Sequence, residues 1–583
     1  MITQLANANP KVLRDYALIA DGERGALCGP EGDLAWLCAP RWDDDAVFSA
    51  LIGGAGGYAV TPIERHVWGG SYEPGSLIWR NRWVTDGTII ECRDALAMPA
   101  EQHCAVIVRR VQAFSAPARV RVLLDVRSHF GQATMSRLRQ DESGNWIGRS
   151  AELKFRWSGA QRATVDRYGQ LAMDLTVPAG QHHDLVLEIS SGDLPQASDA
   201  DTLWQQTEAT WATSVPAFEE SAAAVDARQA YAVLRGLTAA TGGMVAAATM
   251  SLPERAKAGR NYDYRYVWIR DQCYAGLAVA AHGPDRLLTD AVHFVAGALA
   301  SDGPNLKPAY TSSGGRVPDE SRLSLPGYPG GADVRGNWVN EQFQLDAPGE
   351  ALQLFAAAAR HGMIDQNLIT AVETAVSVIE ARWLEPDAGI WELHDDWWTH
   401  SRLACVAGLR QAAAIPAFGD SDRLTRLAAT LASETSRRCL TAAGAWQRSP
   451  SQPGVDASLL LPAVRGAFRA EDARTRATLA AVREQLCVDG YVYRYQHPGH
   501  DLGETEGAFF LCGFIAALAE AHQGNLIDAV RLFERNRSAS GPPGLLAEEF
   551  DVNQRQLRGN LPQAFVHALL LETSLSLGDM ATQ

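Results

Sequence analysis

Glu392, in the run Gly389-Ile390-Trp391-Glu392, and Glu548, in Leu546-Ala547-Glu548-Glu549-Phe550-Asp551, are carboxyl groups far apart in the chain, each among Trp, Gly or Asp residues. Cleavage of a glycosidic bond needs one carboxyl to protonate the leaving oxygen and a second to activate water, and nearby aromatic rings offer faces for a sugar. Asp and Glu number 68, most of them surface charge, so the pair needs context. The run Asn261 to Asp271 supplies some, with Tyr262, Tyr264, Tyr266, Trp268, Arg270 and Asp271 close together. Arg270 and Asp271 can bind adjacent hydroxyls of one ring in a fork, and Trp268 or a tyrosine can stack on its apolar face. The same residues also read as an Arg-Asp ion pair at a helix start.

Two kinds of element must hold these groups. Residues 15–200 read as short strands rich in β-branched and aromatic residues, such as Leu34 to Cys38, Ser76 to Arg80, Thr88 to Cys92, Ala105 to Val108 and Arg119 to Leu124. Turn residues separate them at hairpin intervals, which predicts an antiparallel sandwich. After about residue 200 the apolar period becomes helical, first around Leu203, Ala209 and Trp211, then in long Ala/Leu/Arg segments such as 351–359, 509–521 and 561–577. This predicts domains 1–200 (β-sandwich), 201–224 (helical linker) and 225–583 (a closed ring of helical hairpins), with an open solenoid as the competing arrangement. No fixed repeat period favours the solenoid. The connections 258–272, 303–342, 389–402, 490–508 and 537–560 are long and rich in Gly, aromatics and charge, where function concentrates. Both glutamates lie in them.

A chain of 583 residues with 46% hydrophobic and 21% charged residues has ample material for a large core. A net charge of -16 argues against nucleic acid as a partner. No apolar run is long enough to span a bilayer, and Met1 to Pro10 lacks a leader pattern, so no membrane partner and a cytoplasmic location are expected. Nine scattered cysteines without zinc spacing read as reduced, buried thiols, and no metal is expected.

The run Asn261 to Asp271 resembles the signature of glycoside hydrolase family 15, which comprises glucoamylases, glucodextranases and bacterial trehalases. The resemblance extends along the chain through Trp36 to Asp43, Gly327-Tyr328, Arg335 to Asn337, Gln342 to Asp346, Glu506 to Phe509 and Gly559 to Phe565. It implies an N-terminal antiparallel β-sandwich followed by an (α/α)6 helical barrel. It also implies an inverting exo-acting α-glucoside hydrolase that needs no cofactor and acts on a small carbohydrate. Trehalose is favoured narrowly over α-1,4- or α-1,6-gluco-oligosaccharides, and the oligomeric state, including a homo-oligomer, is left open.

By position, the resemblance makes Glu392 the general acid and Glu548, in preference to Glu549, the general base. Inversion then needs about 6.5–9.5 Å between the carboxyls to admit a water. Trp391 is expected to desolvate Glu392 and keep it protonated while Glu548 stays ionised. Trp268, Arg270, Asp271, Trp338, Trp391 and Trp398 are expected to bind substrate. Asp395, Asp396 and Trp397 are candidates beyond the cleaved bond, and His400, Arg402 and Glu506 read equally as structural groups. Arg41, near Asp43, is expected on an N-terminal loop that narrows the mouth of the site. Phosphorolysis would require a phosphate-binding cluster that no single run supplies, and a non-catalytic sugar binder would not need both carboxyls.

Overall fold

The computed structural model describes residues 9–582; residues 1–8, which bear on the expected absence of a leader, lie outside them. Two eight-stranded antiparallel sheets occupy the first third of the chain. One is built around Ala17–Ala20, Gly25–Cys28, Asp33–Cys38, Gly57–Pro62, Ala118–Asp125 and Leu171–Val177. The other runs from Met135–Gln140 through His182–Ser190 and Cys104–Ala113 to His66–Tyr72. Alternation sets their faces: in Trp79–Thr85, Trp79, Asn81 and Trp83 are buried while Arg82 and Val84 are exposed. Val120, Val122 and Leu124 likewise face Trp79, Trp83 and Trp157 in the inter-sheet core.

Asp33–Cys38 is buried at every residue, without alternation. Leu34 and Leu37 belong to the inter-sheet core, whereas Trp36 and Cys38 join the core shared with the helices. The Trp36 indole N–H donates to the Ala248 carbonyl at 2.8 Å. The sandwich therefore docks on the helical part through the back of its first sheet.

The helical part closes on itself. An inner ring of Ile269–Ala280, Asp346–Arg360, Thr399–Ala413, the short Ala457–Leu460 and Leu461–Val464, Phe510–His522 and Ala564–Thr582 has each member touching the next and the last touching the first. An outer ring alternates with it: Ala224–Leu237, Arg286–Asp302, Gln366–Arg382, Ser421–Cys439, Ala473–Leu486 and Leu526–Arg537. This is the (α/α)6 barrel, and its closure leaves no free end for a solenoid.

Chemistry distinguishes the rings. Four outer helices start on an aspartate whose side chain accepts a backbone N–H: Asp285, Asp365, Asp420 and Asp472. Inner helices are buried on nearly all sides, as Ala347 to Ala359 illustrate, and alanines let them approach closely. Three of them start on Trp268, Trp398 and Phe509, none of which caps with its side chain. Those starts gather at one end of the barrel. All nine cysteines are free, and all but Cys487 are buried. Among the described residues, no helix is long and apolar enough to cross a membrane.

Candidate active site

A cavity of about 360 Å³ opens at the end of the barrel where the inner helices begin. That volume suits a small ligand. All six connections entering the inner helices line it, through Tyr262 and Tyr264, Trp338, Glu392, Arg448, Arg494 and Glu548 among others. Glu392 and Glu548, more than 150 residues apart in sequence, thus face one space.

Glu392 sits in a loop with φ of 54°, the left-handed region, which costs a non-glycine residue roughly 1 kcal/mol and persists only where surroundings enforce it. Gly389 makes the loop passable: its φ is 70°, and a Cβ there would lie 2.6 Å from Trp398 Cδ1. The Trp268 indole N–H donates to Glu392 Oε1 at 2.6 Å, and the Arg270 guanidinium lies 3.8 Å from the same oxygen. Arg270 is itself fixed by the Ile390 carbonyl at 2.7 Å and by Asp271.

Glu548 immediately precedes the strand Glu549–Asp551. Successive strand side chains take opposite sides. Glu548 reaches the cavity, where Tyr264 donates a hydrogen bond at 3.0 Å, while Glu549 turns inward to accept the Gly507 N–H at 2.7 Å. Gly559 passes tightly behind, since a Cβ there would meet Glu548 Oε2 at 3.1 Å. Tyr264 also lies edge-on to Trp268, with ring centroids 5.4 Å apart. One segment, 264–268, therefore carries the hydrogen-bond donors to both carboxyls.

Four glutamates, Glu254, Glu506, Glu548 and Glu549, share this region with Arg260 and Arg494. Burial would push Glu506 up, but the Arg494 guanidinium and His497 hold it at about 2. The other three are pushed up, chiefly by burial; of the like charges, Glu506 raises Glu254, Glu254 raises Glu548, and Glu254, Glu506 and Glu548 raise Glu549. At Glu548, expected to stay ionised, burial and Glu254 push the pKa up, while Arg494 and Tyr264 favour the charged form.

Several expected binding residues occupy other places. Trp268 is 2% exposed and acts through its N–H on Glu392, not as a stacking face in the cavity lining. Trp391 does line the cavity, but its indole N–H points to Asp456, at 2.9 and 3.1 Å from the two carboxylate oxygens, so the aromatic partner of Glu392 is Trp268. Trp398 is buried behind the loop, donating to the His394 carbonyl, and lines a small separate void. Its position is fixed because it starts the helix Thr399–Ala413. Trp338, 40% exposed, stands at the rim. Asp271 is buried behind Arg270 and pushed up to about 6 by burial; its Oδ1 has no protein partner.

Asp396 accepts from Ser449 and Ser451, and Trp397 lies beneath Arg402 and Arg438. Arg402 is buried on Asp387, and His400 is buried and held down to about 3. Arg41 is outside the cavity lining and pairs with Asp44 on the surface at 3.3 Å. The loop does reach the helical part by other groups: Arg265 donates to the Trp42 and Asp44 carbonyls, and Asp45 pairs with Arg335 at 3.1 Å. Contact between loop and barrel is real, and Arg41 is not its agent.

Sequence reasoning did not single out Glu254, Arg260, Arg448, Arg494, Tyr495 or His497, all of which line the cavity; Phe509 and Phe565, which also line it, entered only as ends of motifs. The long connection 490–508 was the available signal for Arg494 to His497. The four lining arginines, Arg260, Arg270, Arg448 and Arg494, come from three connections, and each faces a carboxylate: Glu506, Asp271, Asp456 and Glu506 in turn. Among the described residues, His182, Asp184 and Asp201 place ligand atoms within 4.8 Å of one another, but on the sandwich surface, where Arg110 already pairs with both aspartates.

A family model described as glycosyl hydrolases family 15 matches residues 227–575, and one described as trehalase-like, N-terminal matches residues 3–211. The chain is 29% identical to a trehalase of Mycobacterium tuberculosis, over 97% of this chain and 89% of that one. It is 29% identical to a trehalase of Mycolicibacterium smegmatis, over 97% and 91%. It is 25% identical to a trehalase of Thermoplasma volcanium, over 96% and 92%. In fold it is similar to a bacterial glucoamylase solved with acarbose, with a TM-score of 0.73 at 13% identity over 98% of this chain and 96% of that one.

Proposed function

The chain belongs to glycosyl hydrolases family 15, and on that premise we propose that it is an inverting exo-α-glucosidase whose substrate is trehalose. Glu392 is the general acid and Glu548 the general base. The observation that carries the reading is the meeting of both carboxyls in one cavity, in a chain similar to trehalases over almost its whole length.

The non-reducing glucose enters until its hydroxyls meet Arg270, which lines the cavity and is braced from behind by Asp271. Glu392, oriented by Trp268, protonates the bridging oxygen as the bond breaks. Glu548, oriented by Tyr264, takes a proton from the attacking water. A base raised by burial works nearer neutral pH than an ordinary carboxylate, and substrate entry adds no negative charge to the glutamate cluster. Charge developing on the ring is met by carboxylates placed in advance.

NMR of the first products from trehalose tests the reading. Inversion gives one β-glucose from the attacked ring and one α-glucose from the leaving ring; two α-glucose molecules would overturn it. Trp338 at the rim favours a second reading, hydrolysis of α-1,4- or α-1,6-gluco-oligosaccharides, because a further ring can stack there. Turnover of maltose or isomaltose with none of trehalose would select that reading. Turnover that requires added phosphate would select phosphorolysis instead.

A further inference from the structure

The loop that carries Glu392 is tied to a second connection, 448–456, at three points. The Trp391 N–H reaches Asp456, which is held in turn by the Ser458 N–H at 2.9 Å and hydroxyl at 2.7 Å. Ser449 and Ser451 both donate to Asp396 Oδ2, at 2.6 and 2.5 Å. At the rim, Gln452 Nε2 and His394 Nε2 are 2.7 Å apart. The second connection is itself a closed turn: the Arg448 N–H donates to Gly454 and the Ser449 N–H to Gln452.

We propose that this turn is a clasp that closes the leaving-sugar side of the cavity and restricts the leaving group to a single ring. The proposal rests on the exo-glucosidase reading. The cavity is blind at the buried end, where Arg270, Glu548 and Phe565 are each at most 7% exposed. A chain end that enters first must therefore leave its remainder towards the rim. Glu392 protonates on that side, and His394 is two residues further along the same loop. The Gln452–His394 link joins the two rim loops there, across the path that a second leaving ring would take. Gln452, His394 and Arg448, whose guanidinium stacks on Tyr495 at 3.6 Å, offer polar groups to the hydroxyls of one sugar. The ties to Asp396 and Asp456 also hold the loop in which Glu392 keeps its left-handed backbone, so the clasp links substrate length to acid position.

The test compares trehalose with a trisaccharide in which one glucose of trehalose carries a further α-1,4-linked glucose, so that the leaving group has two rings. Enzyme and variants Q452A, S449A/S451A and S451T are assayed for kcat and KM separately, with melting curves to confirm folding. In Q452A and S449A/S451A, the trisaccharide-to-trehalose ratio of kcat/KM rises on the order of tenfold. S449A/S451A also loses kcat on trehalose because the acid loop is released, while S451T, which keeps the hydroxyl, retains the wild-type ratio. A ratio that stays within about twofold in both loosened variants of an active enzyme overturns the clasp alone. A wild-type enzyme inactive on every α-glucoside overturns the underlying reading and the clasp with it.

Discussion

Two buried clusters of charge, one in each half of the molecule, are built on opposite principles. In the sandwich, Asp94 and Arg109 are both fully buried and pair at 2.7 Å; Arg109 spends its remaining donors on the Tyr58 and Gly32 carbonyls. In the barrel, Glu254, Glu506, Glu548 and Glu549 outnumber Arg260 and Arg494, and each glutamate keeps one oxygen without a hydrogen-bond partner. A closed set of charges stabilises one geometry and does no more. An excess of carboxyls beside a cavity raises their pKa values, because burial and like charge both disfavour the ionised form.

The sharpest way to break the comparison is to remove the proposed acid and base. E392Q and E548Q should each lower kcat/KM on trehalose by about 10²–10⁴-fold with folding intact, as steady-state kinetics and melting curves would show. Wild-type rates in either variant would remove that carboxyl from the mechanism. D94A tests the other cluster: it leaves Arg109 buried and unpaired, and should cost about 3–5 kcal/mol in denaturant unfolding without changing turnover per folded molecule.

A smaller effect sharpens the contrast through pH. Glu548 must be ionised to act and its pKa is raised, so activity should disappear as pH falls through a value above the usual carboxylate range. E254Q removes a like charge and should move that acid limb to lower pH, giving a several-fold gain at its foot. Y264F removes a donor to the ionised form and should move it upward. An unshifted profile of kcat/KM in both variants would separate the limb from Glu548. Least affected should be R41A, whose surface pair with Asp44 is worth about 0–1 kcal/mol; kinetics on short and long substrates should match wild type.

Much of this was legible from residue patterns. Short runs rich in β-branched and aromatic residues gave sheet strands at Asp33–Cys38 and Cys104–Ala113, although the run Ser76 to Arg80 begins three residues ahead of the strand Trp79–Thr85. The helical period placed Asp346–Arg360 and Phe510–His522, and the ordered motifs led to Glu392 and Glu548. Side-chain direction was not legible. Trp268, Trp391 and Trp398 look equivalent as aromatic residues near a candidate site, yet one orients Glu392, one binds Asp456 and one is buried beneath the acid loop. Arg448 and Arg494 each pair within their own connection, with Asp456 and Glu506, and neighbouring residues in the chain do not show that the two guanidinium groups face one cavity.

The sequence by itself determined the two kinds of layer and the family, and it proposed the two carboxyls, since periodicity and motif order are properties of the chain read in one direction. The tertiary structure decided which groups share a dielectric environment. Ring closure brings six connections to one end of the barrel, and only there do four glutamates and two arginines become neighbours. Protonation depends on distance and burial, so the state of Glu548 could not be read from the residues beside it in the chain.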